Sequence, residues 1–259
     1  MDMAFASPDE NYSKAEELIR KAVESEKPDV VVLPETWNLG FFPHENLYSL
    51  ADREGERTKS LFSSLSRELD VNIVGGSVVR TDGDKVRNTC YVFSRSGSLL
   101  ATYDKTHLFS PMSEDKFFQK GDHLSLFSLD GVKCGVIICY DIRFPELTRT
   151  MALEGMDVLF VVSEWPKARI PHLETLTRAR AIENQMFLVL SNSTGKSGDT
   201  EYGGASRIID PWGEVLASME GRGENIISAN LDMNIINGIR NSINVFSDRR
   251  SELYNVSKN

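Results

Sequence analysis

The sequence predicts an α/β fold in which mixed sheets pack face to face with helices outside. Two observations carry this. Short continuous apolar runs, such as Val30-Val31-Val32-Leu33, Gly135 to Ile138 and Val158 to Val162, are too apolar to have one wet face, so they read as strands covered on both sides. Helical patterns alternate with these runs, and several strand pairs close through short turns, the arrangement of layered mixed sheets.

From Ser13 to Lys27 the residues Ala15, Leu18, Ile19, Ala22 and Val23 recur at helical spacing, and Pro28 stops the pattern before the Val30 strand. Leu61, Phe62, Leu65 and Leu69 mark a second helix. Val71 to Val79 reads as one strand interrupted by Gly75-Gly76, where a bulge or close backbone approach is expected. Asn88 to Ser94 with Ser98 to Tyr103 forms a hairpin, and Ser110 to Asp122 is polar and irregular. Ser125 to Leu129 and Lys133 to Ile138 flank Asp130-Gly131 as a second hairpin. Pro145 to Gly155 and Pro171 to Asn184 read as helices, the second with Leu173, Leu176, Ala179 and Ile182 inward, and Val158 to Val162 and Met186 to Leu190 as strands. A further hairpin joins Ser206 to Ile209 with Val215 to Met219, followed by an extended segment from Ile226 to Leu231. The tail from Asn234 is polar with scattered apolar anchors, and Gly221-Arg222-Gly223 reads as a turn.

At 259 residues, 41% hydrophobic and 26% charged, the chain has material for a sizeable core, and a single domain over 1–259 is expected. A net charge of −9 argues against nucleic-acid partners, which call for a basic footprint. No apolar run approaches the ~20 residues of a membrane span. Three cysteines and an N-terminus without a basic or long apolar stretch do not suggest export, so a cytoplasmic protein is expected.

The segment from Gly135 to Glu146 delivers Cys139 from a buried strand to a charged bend, with Pro145 suited to the first turn of a helix. There the positive end of the next helix can favour a thiolate, and free backbone N–H groups can hold an oxyanion. Read alone, Cys139 is equally compatible with a small core residue. Glu35 and Lys105 also stand at ends of predicted strands, and each alone has an ordinary explanation as a cap or a solvated edge residue.

Together with their flanks they do not. Leu33-Pro34-Glu35, Tyr103-Asp104-Lys105-Thr106-His107-Leu108-Phe109 and Ile138-Cys139-Tyr140-Asp141-Ile142-Arg143-Phe144-Pro145-Glu146 strongly resemble the signature segments of the nitrilase superfamily, the carbon–nitrogen hydrolases. Arg178 to Gln185 looks like its helix motif and Asp210 to Ala217 like its late hairpin, so the resemblance covers nearly the whole chain. Glu164-Trp165-Pro166 and the tail Val245 to Tyr254 look most like the omega-amidases, which hydrolyse the terminal amide of 2-oxoglutaramate or 2-oxosuccinamate.

The resemblance implies a four-layer αββα sandwich with Glu35 as general base, Lys105 as electrophilic stabiliser and Cys139 as nucleophile of an amidase. Lys105 and the backbone N–H of Tyr140 would hold the oxyanion. Glu114, between the lysine and cysteine motifs, matches a second glutamate of many family members. A homodimer is implied, and neither metal nor organic cofactor. Trp165 is a candidate pocket wall for the small amide substrate. Arg169 is a candidate partner for a substrate carboxylate, for which its forked guanidinium is suited. Asp141 and Arg143 are expected to brace the nucleophile turn. Family members usually carry an apolar strand before the segment matching Met1 to Ala6, so the first strand is expected to be missing or truncated.

Other readings are weaker. His107, His123 and His172 lie in no recognisable cysteine-peptidase setting, and the spacing of Cys134 and Cys139 misses the usual zinc pairs. A nitrilase, an N-carbamoyl amidohydrolase or a deaminated glutathione amidase would use the same triad, with specificity in loops such as Phe41 to Asn46, Ser110 to Gln119 and Trp165 to Ile170. A catalytically idle scaffold of the same fold has no need of a base, a cation and a thiol at three strand ends.

Overall fold

The computed structural model describes residues 1–41, 44–219 and 223–254. Residues 42–43 of the loop at 41–46 and residues 221–222 of the expected glycine turn lie outside the described residues.

Two sheets form the centre. The first holds β1 (Val30–Val32), β2 (Asn72–Val74), β3 (Val78–Asp82), β4 (Lys85–Phe93) and β5 (Leu99–Asp104). β1 runs parallel to β2, while β4 takes β2 and β3 along one side and β5 along the other, all antiparallel. The second contains β6 (Leu126–Leu129), β7 (Val132–Ile138), β8 (Val158–Ser163) and β9 (Phe187–Asn192). After the separate hairpin of β10 (Thr194–Ser197) and β11 (Thr200–Gly203), it is completed by β12 (Arg207–Ile209) and β13 (Val215–Ser218). Its order is β13-β12-β9-β8-β7-β6, with β7, β8 and β9 parallel.

Seven helices are described: α1 (Pro8–Glu26), α2 (Leu47–Leu50), α3 (Glu56–Leu69), α4 (Glu114–Phe117), α5 (Pro145–Leu153), α6 (Ile170–Asn184) and α7 (Ile235–Ser242). The two-residue period of the strands sorts side chains into layers. Val136 and Ile138 point inward with Val74, Val92, Val158 and Val162, forming the core between the sheets. Ile137, Leu159 and Val161 point outward and bury Leu147 and Met151 of α5 and Leu173 and Ala181 of α6. On the opposite flank Ala15 and Ile19 of α1 and Phe62 and Leu65 of α3 cover Ile73, Tyr91 and Phe93. The architecture is the expected four-layer αββα sandwich. Among the described helices none is long and apolar enough to cross a membrane.

Three segments differ from the sequence reading. Val71 to Val79 is two strands, β2 and β3, that share β4 as neighbour. Residues 226–231 form no strand, yet Leu231 packs against the inter-sheet core. The tail contains α7, whose Ile236 and Ile239 are buried. Near the start of the chain Asp2 makes one parallel bridge to Thr194, Met3 is buried, and β1 pairs only with β2 among the described residues.

The break between β2 and β3 has a positional use. Gly76 has φ +63°, and a Cβ there would lie 2.1 Å from the Pro34 carbonyl oxygen. The next residue donates from Ser77 N to that oxygen at 2.9 Å, and Ser77 Oγ accepts from Thr36 N at 3.0 Å, so the glycine lets the backbone on both sides of Glu35 be gripped. We expect Gly76→Ala to destabilise the fold by about 2 kcal/mol or more, because strain at a left-handed position adds to a backbone clash. The urea midpoint checks this; an unchanged midpoint would refute the grip.

Candidate active site

β7 ends at Ile138, and Cys139 takes φ +48°, a left-handed value uncommon outside glycine, as the chain leaves the sheet. A 3₁₀ turn over Cys139–Arg143 follows, and α5 starts only at Pro145. The cysteine therefore opens a 3₁₀ turn rather than the helix. Its thiol is not poised as a thiolate: burial and the Glu35 carboxylate push it well above the ordinary cysteine value, against the pull of Lys105. In the resting site a base is needed to take the proton.

Lys105 lies one residue beyond β5 and is buried. Its Nζ donates to Glu35 Oε1 at 2.8 Å and to both oxygens of Glu114 at 2.9 Å. Burial opposes the ammonium, but Glu114 and Glu35 outweigh it and hold the group well above the usual lysine value, so it stays charged. Glu35 follows β1 by three residues, and its second oxygen accepts from Glu164 N at 2.9 Å. Glu114 opens α4 and is held by Phe109 N, which donates to Oε2 at 2.6 Å. The structure thus brings Glu35, Lys105, Glu114 and Cys139 into one cavity.

Tyr140, Trp165 and Arg169 line the same cavity, and so does Arg143. Trp165 is buried; its Nε1 donates to the Arg169 carbonyl at 2.8 Å, tying the two residues together. The Arg169 guanidinium lies 5.2 Å from the centre of the Phe109 ring. Arg143 was expected to brace the turn. Instead its guanidinium lies 4.8 Å from the Trp165 ring and donates to His172 Nδ1 at 3.3 Å, facing the cavity. Two cations on aromatic faces border the thiol, a setting suited to an anionic group.

Two further residues of the site escaped the sequence reading. Asn88, buried on β4, donates from Nδ2 to Glu35 Oε1 at 2.9 Å and reaches Glu114 Oε1 at 3.4 Å. Its only signal was an amide within a strand otherwise rich in apolar residues. Glu164, read as a subgroup marker, is a buried member of the cavity wall.

Asp141 does brace the turn, as expected, and does more. Oδ2 accepts from Tyr103 Oη at 2.8 Å and Ile138 N at 3.0 Å. Oδ1 accepts from Thr106 Oγ1 at 3.0 Å, His107 N at 2.9 Å and, in its donor tautomer, His107 Nδ1 at 2.8 Å. One carboxylate therefore clips the end of β5 to the end of β7 and sets Lys105 against Cys139. Asp141→Asn turns an acceptor into a donor facing donors. The expected loss is roughly 3 kcal/mol, read from the urea midpoint, with a slower reaction of Cys139 with iodoacetamide; wild-type values in both would remove the clip.

The model of the carbon-nitrogen hydrolase family matches residues 1–241. The chain is 44% identical over 253 residues to the 2-oxoglutaramate amidase of Bacillus subtilis, covering 98% of this chain and 96% of that protein. It is 34% identical over 262 residues to omega-amidase NIT2 of Danio rerio, covering 96% of this chain and 92% of that one. Saccharomyces cerevisiae Nit3, a member of branch 10 of the nitrilase superfamily, superposes with a TM-score of 0.88 at 28% identity, covering 96% of this chain and 93% of the other. With this match over most of its length and a sandwich of the same kind, the chain belongs to the carbon-nitrogen hydrolase family of the nitrilase superfamily.

Proposed function

We propose that the protein hydrolyses the terminal amide of a small anionic omega-amide, 2-oxoglutaramate or a close relative, through a thioester on Cys139. The observation that carries this is the Lys105 ammonium held between Glu35 and Glu114 in the cavity that Cys139 lines. Glu35 takes the Cys139 proton as Sγ forms a bond to the amide carbon. A positioned base of this kind contributes ~10²–10⁴-fold. The oxyanion is stabilised by the Lys105 Nζ and the Tyr140 N–H, a donor of this type being worth about 3–4 kcal/mol. As the oxyanion collapses the C–N bond breaks, Glu35 returns its proton to nitrogen, and ammonia leaves. Glu35 then takes a proton from water, the hydroxyl attacks the thioester, and the C–S bond breaks to give the carboxylic acid. The thiolate recovers the proton from Glu35.

Arg143 and Arg169, set against Trp165 and Phe109, would pair with the distal carboxylate of the substrate. The name of the Bacillus relative supports an oxo-amide, and that of the Danio relative an omega-amide. An N-carbamoyl amino acid offers a carboxylate too, and is the second reading that this pair of arginines favours. The resemblance also carries a cytoplasmic homodimer. Exposed Ile182 on α6 and Trp212 in the β12–β13 turn provide apolar surface for one.

Ammonia release should be selective for 2-oxoglutaramate over glutamine, a simple nitrile and an N-carbamoyl amino acid, and absent in Cys139→Ala. Turnover of another compound alone would replace the substrate and keep the mechanism. Replacing either arginine with leucine should lower kcat/KM by about 10–100-fold, the loss of one charged hydrogen bond. An unchanged value in both variants would remove the carboxylate site.

A further inference from the structure

Three buried carboxyl groups, those of Glu35, Glu114 and Glu164, meet at the wall of the cavity. Lys105 closes ion pairs with Glu35 at 2.8 Å and Glu114 at 2.9 Å, and among the described residues no cation reaches Glu164. A third buried anion beside Glu35, with no cation of its own, would be heavily penalised. Yet the group is tied into the site. Its N–H donates to Glu35 Oε2 at 2.9 Å, and Glu35 N reaches back to the Ser163 carbonyl at 3.4 Å. Its Oε2 accepts a short hydrogen bond from the Thr36 hydroxyl, at a residue with φ +42°, and the Phe41 backbone N–H also donates to this carboxyl.

We propose that Glu164 is a positioning residue for Glu35 that works as a neutral carboxylic acid. Its main-chain N–H fixes one oxygen of the base, and its uncharged side chain latches the left-handed Thr36 corner without placing a second negative charge beside that base. Groups of both signs surround it. Glu35 and Lys105 act on it from the first sheet, Glu35 favouring the neutral form and Lys105 the charged one, and buried Tyr202 on β11 lies within electrostatic reach. Cys139, Glu114, Tyr140, Arg143 and Arg169 are the other titratable or charged groups that line the cavity. Burial holds Glu164 well above the ordinary carboxylate range and the Glu35 carboxylate reinforces this, against the Thr36 hydroxyl, the Phe41 backbone and the Lys105 ammonium. A raised value means that the proton is lost at higher pH than from an ordinary carboxyl, so the site should weaken as pH rises.

The inference rests on the mechanism above for the role of Glu35, and its test needs no substrate. Alkylation of Cys139 by iodoacetamide is followed by mass spectrometry from neutral to alkaline pH, in the natural chain and in Glu164→Gln, a neutral isostere. At pH 7 the two should react within about threefold of each other, because the variant keeps the shape and charge of the working state. As pH rises the natural chain should fall behind by about tenfold, since a new charge beside Glu35 shifts the thiol by about one pH unit. Glu164→Ala, which loses the latch, should slow the alkylation at pH 7 by about 10²-fold, the cost of a misplaced base. Coincident pH profiles would overturn the proposal, as would a Glu164→Gln chain that fails to fold or is already tenfold slower at pH 7. Divergent profiles in a protein inert on every amide would sink the substrate reading and leave this one standing, and coincident profiles with brisk turnover would do the reverse.

Discussion

The site depends on one buried ammonium. Lys105 is taken out of water beside an inter-sheet core, a placement that is unfavourable unless partners of opposite charge meet it at close range. Glu35, from the end of β1, and Glu114, from the short helix α4, do so at 2.8 and 2.9 Å. Asn88 donates to both carboxylates, which leaves their geometry little freedom. Removing any member would strand a charge or a donor in the interior. The reactive arrangement and the local stability of the fold are therefore the same set of contacts.

That set spans both sheets. Glu35 and Lys105 arrive from the first, Cys139 and Glu164 from the second, all at the C-terminal ends of strands. Distances between them are thus decided by how the sheets pack. Two polar ties regulate the packing at this end. Asp141 clips the residues after β5 to the last residue of β7, and the reciprocal bonds between Glu35 and the 163–164 segment join β1 to β8. Between these ties lies the thiol, which burial and Glu35 push well above the ordinary cysteine value.

The elements that were legible in the sequence share a property: their pattern is set by neighbours a few residues away. The apolar run before Cys139 and the hairpin around Asp130-Gly131 follow from local pattern and turn chemistry. The helix before Asn184 was placed but not its inner face: Leu173 is buried as expected, whereas Ile182 is exposed and Thr177, Arg180 and Asn184 are buried instead. The segment from Val71 to Val79 misled because the composition on both sides of Gly75-Gly76 is equally strand-like, and only the shared partner β4 reveals two strands. α7 was hidden because its helix buries just Ile236 and Ile239 in an otherwise polar tail. Arg143 looked like a brace because it lies in the nucleophile segment next to Asp141, which is one. Its direction is chosen by Trp165, distant in sequence but adjacent in the fold.

By itself the sequence determined the layered α/β class, the strand ends on which acid, cation and thiol would sit, and, through the resemblance of their flanks, the family. Each of these is written in local order, where residue type and spacing suffice. Only the tertiary structure decided that Glu114 closes on Lys105, that Asn88 serves two carboxylates, that burial and Glu35 push the thiol upward, and that Glu164 N grips Glu35 while its carboxyl makes no ion pair among the described residues. Those outcomes turn on burial and on charges brought together across sheets, and the strength of an electrostatic interaction depends on distance and desolvation that exist only after the chain has packed.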